Sequence, residues 1–148
     1  AEPTKDAQHE VPSELVRRLA RFHLIDNVHA LNYTFFPKEA IEKARLSSTV
    51  VKVDGDLISL SFKGESRASM VSPKKIGYAP KLLGRATYNL KDQKFVSFEL
   101  LAVGMRWGLG NCNQRHNPAP ALMGIVFTLA GDSPAERLPP AFFSRYGW

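Results

Sequence analysis

An alternation of apolar and polar residues between Ala79 and Gly108 constrains the fold of this 148-residue chain more than any other feature. Successive side chains of a β-strand point to opposite faces of the sheet, so a strand with one buried face alternates in this way. The apolar positions of the two halves are Leu82, Ala86, Tyr88 and Leu90, followed by Val96, Phe98, Leu100 and Ala102. The polar stretch Lys91–Lys94 between the halves suits a hairpin loop, and the whole predicts one long antiparallel hairpin.

Two further patterns complete the predicted architecture. The sequence Asp54–Asp56 separates two extended segments and contains Gly55, which adopts the positive φ of tight hairpin turns. After Ser13, which can cap a helix, apolar residues follow helical spacing as far as Phe22. We therefore expect a mainly β (α+β) fold: an antiparallel curved sheet or small barrel of about 5–6 strands with one N-terminal helix packed on it.

Composition along the chain predicts a single domain with two flanking segments. Residues 1–11 carry charge and little apolar content, which is typical of a flexible lead-in. Residues 12–133 form the β-rich domain, with a surface loop expected at residues 71–80. Residues 134–148 form a tail rich in proline and aromatic residues.

The alternation fails in two places, where apolar residues occupy both faces. Leu101, Val103 and Met105 add an apolar row to the end of the hairpin, and residues 121–130 are apolar on both faces. Nearly continuous apolar strands are typical of strands that are covered on both sides. We therefore expect the end of the hairpin to be covered, and the segment 121–130 to lie centrally in the sheet or to be well covered.

Charge and cysteine content exclude several classes of protein. Twenty basic and fourteen acidic residues give a net charge of +6. The basic residues are spread along the chain without a nucleic-acid-binding motif, so specific nucleic-acid binding is not expected. No apolar run approaches the roughly 20 residues of a membrane span. Cys112 is the only cysteine, which excludes an intramolecular disulfide.

The first residues favour export to the periplasm or the extracellular space. A small first residue, Ala1, followed by a polar segment is typical of a chain after signal-peptide removal, although a domain cut from a longer chain gives the same pattern.

Four runs of residues resemble a family of exported bacterial proteins of undefined activity. The runs are Phe22–Val28, Leu82–Tyr88, Arg106–Gly108 and Phe127–Arg137, and the resemblance extends over about residues 15–142. It implies export and a single compact domain, and it implies no site residues.

Aromatic and basic residues provide candidate binding surfaces. A partly open barrel could hold an apolar ligand near four aromatic side chains, those of Tyr33, Phe35, Phe36 and Trp107. A protein partner could contact the basic helix face and the aromatic tail, which together comprise Arg17, Arg18, Arg21, Phe142, Phe143, Tyr146 and Trp148. The sequence does not indicate an oligomeric state.

Cys112 and His116, with Met105 and Met123, are candidate metal ligands. A thiolate, an imidazole and thioethers are soft ligands suited to copper. The order Cys, His, Met is similar to the ligand loop of blue-copper proteins, but six residues separate His116 from Met123. A surface histidine and a packed cysteine explain the same residues. A catalytic Cys112–His116 pair would also need an orienting third group.

No nucleotide-binding, CxxC, HExxH or GxSxG motif is present, so no familiar enzyme class is indicated. The leading hypothesis is an exported, non-enzymatic binding or interaction module of the cell envelope with an apolar ligand pocket. Its partner would be a protein or a small apolar ligand, and no cofactor is expected. The alternatives are a structural subunit of a larger envelope complex and a copper or redox protein that uses Cys112 and His116.

Overall fold

The strands follow one another through the sheet in their order along the chain. The computed structural model describes residues 3–26, 35–71, 75–108 and 119–137. The elements are β1 (Gln8–Glu10), α1 (Ser13–Phe22), β2 (Ile41–Asp54), β3 (Leu57–Met70), β4 (Ile76–Asn89), β5 (Lys94–Trp107) and β6 (Ala121–Thr128), with 3₁₀ turns at Lys38–Ala40 and Pro134–Arg137. Every strand pairs antiparallel with the next. The predicted mainly β fold with one helix is therefore confirmed.

The sheet is curved and does not close. In the described parts of the chain, β1 pairs with β2 alone and β6 pairs with β5 alone. These residues therefore form the predicted curved sheet and not the small barrel.

Both predicted hairpins are present. Gly55 has a φ of +57° in the turn between β2 and β3, which explains the glycine at that position. In the β4–β5 loop, the side-chain oxygen of Asn89 accepts hydrogen bonds from the backbone N–H groups of Lys91 (2.9 Å) and Asp92 (3.2 Å). This local network replaces backbone pairing where the chain reverses.

The core lies between α1 and one face of the sheet, which we call the inner face. The helix contacts β2 and β3 through the side that carries Val16 and Ala20. The buried inner-face residues of the sheet are mostly aliphatic: Leu46, Phe62, Ala68, Ile76, Tyr78, Leu82, Ala86, Leu100 and Ala102. The alternation between Ala79 and Gly108 thus marks the buried face of β4 and β5.

The structure also differs from the sequence expectations at the start of the chain, at the helix cap and in β4. Gln8–Glu10, expected within a flexible lead-in, form β1 on the edge of β2. The helix is preceded by Pro12, and no side chain caps it. Pro80, expected in a surface loop, is buried inside β4. It is tolerated there because the pairing of β3 with β4 is interrupted between Ala68–Tyr78 and Glu65–Lys81, where no N–H group is needed.

Candidate functional site

The face of the sheet away from α1, which we call the outer face, changes character from one side to the other. Cross-strand register places its residues in rows that run from β2 to β6. One row is Ser47, Lys63, Leu83, Leu101 and Val126. This row begins with polar and charged residues on β2 and β3 and is apolar from β4 to β6, whereas the row of Thr49, Ser61, Arg85, Glu99 and Thr128 stays polar throughout.

Six outer-face side chains on β4, β5 and β6 form what we call the apolar patch: Leu83, Leu101, Val103, Met105, Leu122 and Val126. Leu122, Val126 and Leu83 are 73%, 64% and 55% exposed, and Leu101 and Met105 are exposed as well. A cleft between Leu83, Leu101 and Val126 is bounded by Arg85 and Glu99. Contiguous exposed apolar side chains with a polar rim are typical of interaction sites.

Three basic side chains, which we call the basic border, surround the β4 end of the apolar patch. Lys63 lies opposite Leu83 on β3, while Lys81 and Arg85 precede and follow Leu83 on the same face of β4. Lys81 contacts Glu65 (2.9 Å), and Arg85 contacts Glu99 on β5 (2.7 Å). Leu83 therefore meets positive charge on three sides and the apolar Leu101 on the fourth.

The β2–β4 part of the outer face is held by ion pairs. Glu65 contacts Lys43 (2.9 Å), Lys81 (2.9 Å) and Arg45. Hydrogen bonds from these cations, with that of Lys81 contributing most, lower the pKa of the Glu65 carboxyl to about 2. Arg67 pairs with Glu42 at 2.7 Å. Fixed charges of this kind leave little apolar surface on this part of the sheet.

Strand β6 is the edge of the described sheet and carries no charged residue or proline. Its inner side chains, Met123, Ile125 and Phe127, pack against the core, whereas Leu122 and Val126 are exposed on the other side. The prediction that this segment is central or well covered is therefore wrong, and so is the prediction that the end of the hairpin is covered, because Leu101 and Met105 are exposed. In β6, the apolar residues of one face pack in the core and those of the other face are exposed. The sequence pattern alone does not distinguish these two cases.

A buried polar cluster lies where the segment that follows α1 meets the end of β5. Arg106 and Asp26 are both almost fully buried, with 3.6 Å between Nε and Oδ2. The Tyr78 hydroxyl lies within donating distance of the carbonyl oxygens of Ala102 (3.0 Å) and Met123 (3.1 Å). Burial, with the negative charge of Asp26, raises the pKa of Tyr78 to about 12. The cluster ties β4 to β5 and β6 and serves the fold.

Two of the three helix arginines proposed as partner contacts bind the chain itself. Arg17 donates to the carbonyl oxygens of Lys38 (3.4 Å) and Ile41 (3.3 Å). Arg21 donates to the carbonyl oxygen of Phe36 (3.1 Å) and stacks on Phe22. Arg18 is exposed on the helix. Burial, with the positive charge of Arg18, lowers the pKa of His23. The tail residues Phe142, Phe143, Tyr146 and Trp148 lie outside the described residues.

The predicted ligand-pocket residues that are described have packing roles. Phe36 is buried in the core, and Phe35 packs on Phe22 with 5.2 Å between ring centroids. Trp107 covers Gly77 on β4, and the Arg67 guanidinium lies 5.1 Å from its ring. Tyr33 lies outside the described residues. None of these three aromatic side chains lines the outer-face cleft.

The two candidate thioether ligands lie on opposite faces of the sheet. Met105 pairs with Leu122 on the outer face, whereas Met123 pairs with Gly104 on the inner face. One ion therefore cannot bind both methionines. Cys112 and His116 lie outside the described residues, so a copper site built on them stays a prediction. The residues that are described contain no cluster of three or more side chains suited to a metal ion.

Comparison of the chain with protein-family models, curated proteins and solved structures finds no match. Within the described ranges, no helix has the length and apolar character needed to cross a membrane. The apolar patch was missed as a site by sequence reasoning, although its signal, the lost alternation from Leu101 to Met105, was visible.

Proposed function

We propose that this protein is an exported, non-enzymatic binding module of the cell envelope, and that the apolar patch is its binding surface. One observation carries the proposal: exposed apolar side chains continue from Leu83 across Leu101 to Val126 at the uncharged edge of the sheet. Leaving so many apolar side chains in water is unfavourable, and a partner that covers them gains the corresponding free energy. The envelope location rests on the sequence resemblance to exported proteins.

The chemistry of this surface favours binding over catalysis. The outer-face cleft holds one ion pair, between Arg85 and Glu99, and otherwise apolar side chains and backbone. General acid–base catalysis needs a titratable group that is poised by its surroundings. The Glu99 carboxylate is exposed and ion-paired, and it lies beside leucine and valine side chains, so this arrangement is better suited to binding a partner than to acid–base catalysis.

Cell fractionation of matched variants tests the proposal. Leu101→Asp with Val126→Asp places two charges in the apolar patch. The control, Leu57→Asp with Val51→Asp, adds the same charge at a leucine and a valine that are similarly exposed elsewhere on the sheet. We expect the wild type and the control to remain with the envelope fraction, and the patch variant to be released. Equal release of both variants would contradict the proposal.

A further inference from the structure

We infer that the apolar patch and the basic border together dock on the surface of an anionic phospholipid bilayer. This inference rests on the proposed function and names the partner of the same surface. It follows from the way in which apolar and basic side chains are arranged on the outer face.

The charge of the outer face is complementary to an anionic surface. Eight basic side chains lie on it: Lys43, Arg45, Lys52, Lys63, Arg67, Lys81, Arg85 and Lys94. Five carboxylates share the face, those of Glu10, Glu42, Asp54, Glu65 and Glu99. Eight positive and five negative charges leave an excess of three positive charges, and anionic lipid headgroups attract such an excess.

The positions of the two groups match the layers of a bilayer surface. The basic border lies beside Leu83, so its charges adjoin the apolar patch and do not occupy it. Amphipathic lysine and arginine side chains can extend to phosphate groups while adjacent aliphatic side chains enter the boundary of the acyl chains. Leu122 and Val126, the most exposed members of the apolar patch, lie farthest from the basic border, at the β6 edge.

A bilayer fits these observations better than a second copy of the chain does. Two copies that meet through their outer faces would bring equal excesses of positive charge together, which opposes association. Nucleic acid would satisfy the charges but would leave Leu101, Leu122 and Val126 uncovered. An anionic bilayer satisfies both the charge and the apolar area.

Vesicle flotation with the full chain tests the inference. One set of vesicles is phosphatidylcholine alone, and the other contains a third of phosphatidylglycerol. We expect the wild type to float with the anionic vesicles and to bind the neutral ones at least about tenfold more weakly. High salt should weaken the binding, because it screens the basic border.

Variants separate the apolar contribution from the electrostatic one. Leu101→Asp with Val126→Asp should lower binding to anionic vesicles at least about tenfold more than Leu57→Asp with Val51→Asp, which adds the same charge elsewhere. Lys63→Gln should weaken binding, whereas Lys94→Gln, at the first position of β5 and distant from the apolar patch, should not. Circular dichroism and thermal unfolding confirm that each variant is folded.

Three results would overturn the inference. The first is an absence of binding to anionic vesicles, and the second is an equal loss of binding in the patch variant and its control. The third is that the wild type forms a concentration-dependent dimer and does not bind vesicles, while the patch variant is monomeric. The last result would identify a second copy as the occupant. If vesicles do not bind but the patch variant alone is released from the envelope fraction, the bilayer is excluded and the proposed binding surface stands.

Discussion

Strands β4, β5 and β6 carry apolar side chains on both faces, and the two faces are used differently. The inner face is covered by the helix and the curvature of the sheet, so that Leu82, Leu100 and Ala102 are almost completely buried. On the outer face, the side chains of the apolar patch remain in contact with solvent. An apolar strand face is therefore a surface that is favourable to bury. Only the fold shows whether the chain itself buries that face or leaves it exposed.

The two edges of the sheet show a similar contrast. Strand β1 has three exposed polar residues, Gln8–Glu10. Short and charged edge strands prevent unwanted pairing with other chains. Strand β6 has eight residues and no charge, and it borders the apolar patch. Among the residues that the structure describes, one edge strand is thus short and polar and the other is longer and uncharged, which agrees with a partner at β6.

The largest difference between the two faces is expected at adjacent leucines of β4. Leu82 is fully buried, and Leu83 lies in the apolar patch. Leu82→Ala should lower the free energy of unfolding by about 2–5 kcal/mol because it leaves a cavity, whereas Leu83→Ala should change it by less than about 0.5 kcal/mol. Urea unfolding measures both values. Similar losses at the two positions would show that the outer face is covered after all.

Two glycines extend the comparison to the backbone. A Cβ atom at Gly104 would overlap the carbonyl oxygen of Ala79, whereas at Gly124 the nearest atom would be 3.7 Å away. Gly104→Ala should therefore destabilise the protein by about 1–3 kcal/mol or more, and Gly124→Ala should be tolerated. Thermal unfolding checks both variants. A neutral Gly104→Ala would mean that β4 and β5 are less tightly apposed than described.

Tyr78 on β4 helps to hold β6 in the sheet, because its hydroxyl reaches backbone carbonyl oxygens of both β5 and β6. Tyr78→Phe removes the hydroxyl that reaches the carbonyl oxygens of Ala102 and Met123, and it should cost about 1 kcal/mol. Relative to the wild type, the variant should show a larger increase in the rate of hydrogen–deuterium exchange in β6 than in β3. The control is Tyr88→Phe, at a half-buried ring that packs on Phe95. If exchange in β6 stays the same, the hydroxyl does not secure that strand.

The smallest expected effect concerns the ion pairs of the β2–β4 part of the outer face. Because the folded pKa of Glu65 is lowered from 4.5 to about 2, its contribution to stability is present above pH 4.5 and is lost as the pH falls through about 2. Solvent screening keeps the effect small. Melting temperatures across this range should fall less for Glu65→Gln than for the wild type. If the melting temperatures of the two proteins fall equally with pH, Glu65 does not contribute to the loss of stability in acid.

The sequence predicted the fold well where one face is buried and the other is polar. Alternation between Leu82 and Ala102 and the turn at Gly55 give the two hairpins, and most of the faces are correct. Val96 is the exception, because a register shift in β5 places Phe95 opposite Tyr88 and leaves Val96 exposed. The same reasoning misplaced β6, because covered and exposed apolar faces have the same pattern. The ion pair of Arg106 with Asp26 joins residues far apart in sequence, so no local pattern indicates it.

The candidate site was predictable only as a region. The breakdown of alternation after Leu101 marks the end of the hairpin that carries the apolar patch. Phe36 was proposed as a ligand-pocket residue and Arg21 as a partner contact, but Phe36 packs in the core and Arg21 binds the carbonyl oxygen of Phe36. Both contacts depend on how the helix packs, which the local sequence does not show. Local charge and aromatic content do not distinguish a residue that holds the fold from one that binds a partner.

Photo-cross-linking in the producing cells tests the central claim most directly. A photoreactive amino acid replaces Val126 in the apolar patch or, as a control, the similarly exposed Val51 on β2. We expect cross-links to a lipid or protein partner from position 126 and little or none from position 51. Equal yields from the two positions, or none from position 126, would contradict the assignment of the apolar patch as the binding surface.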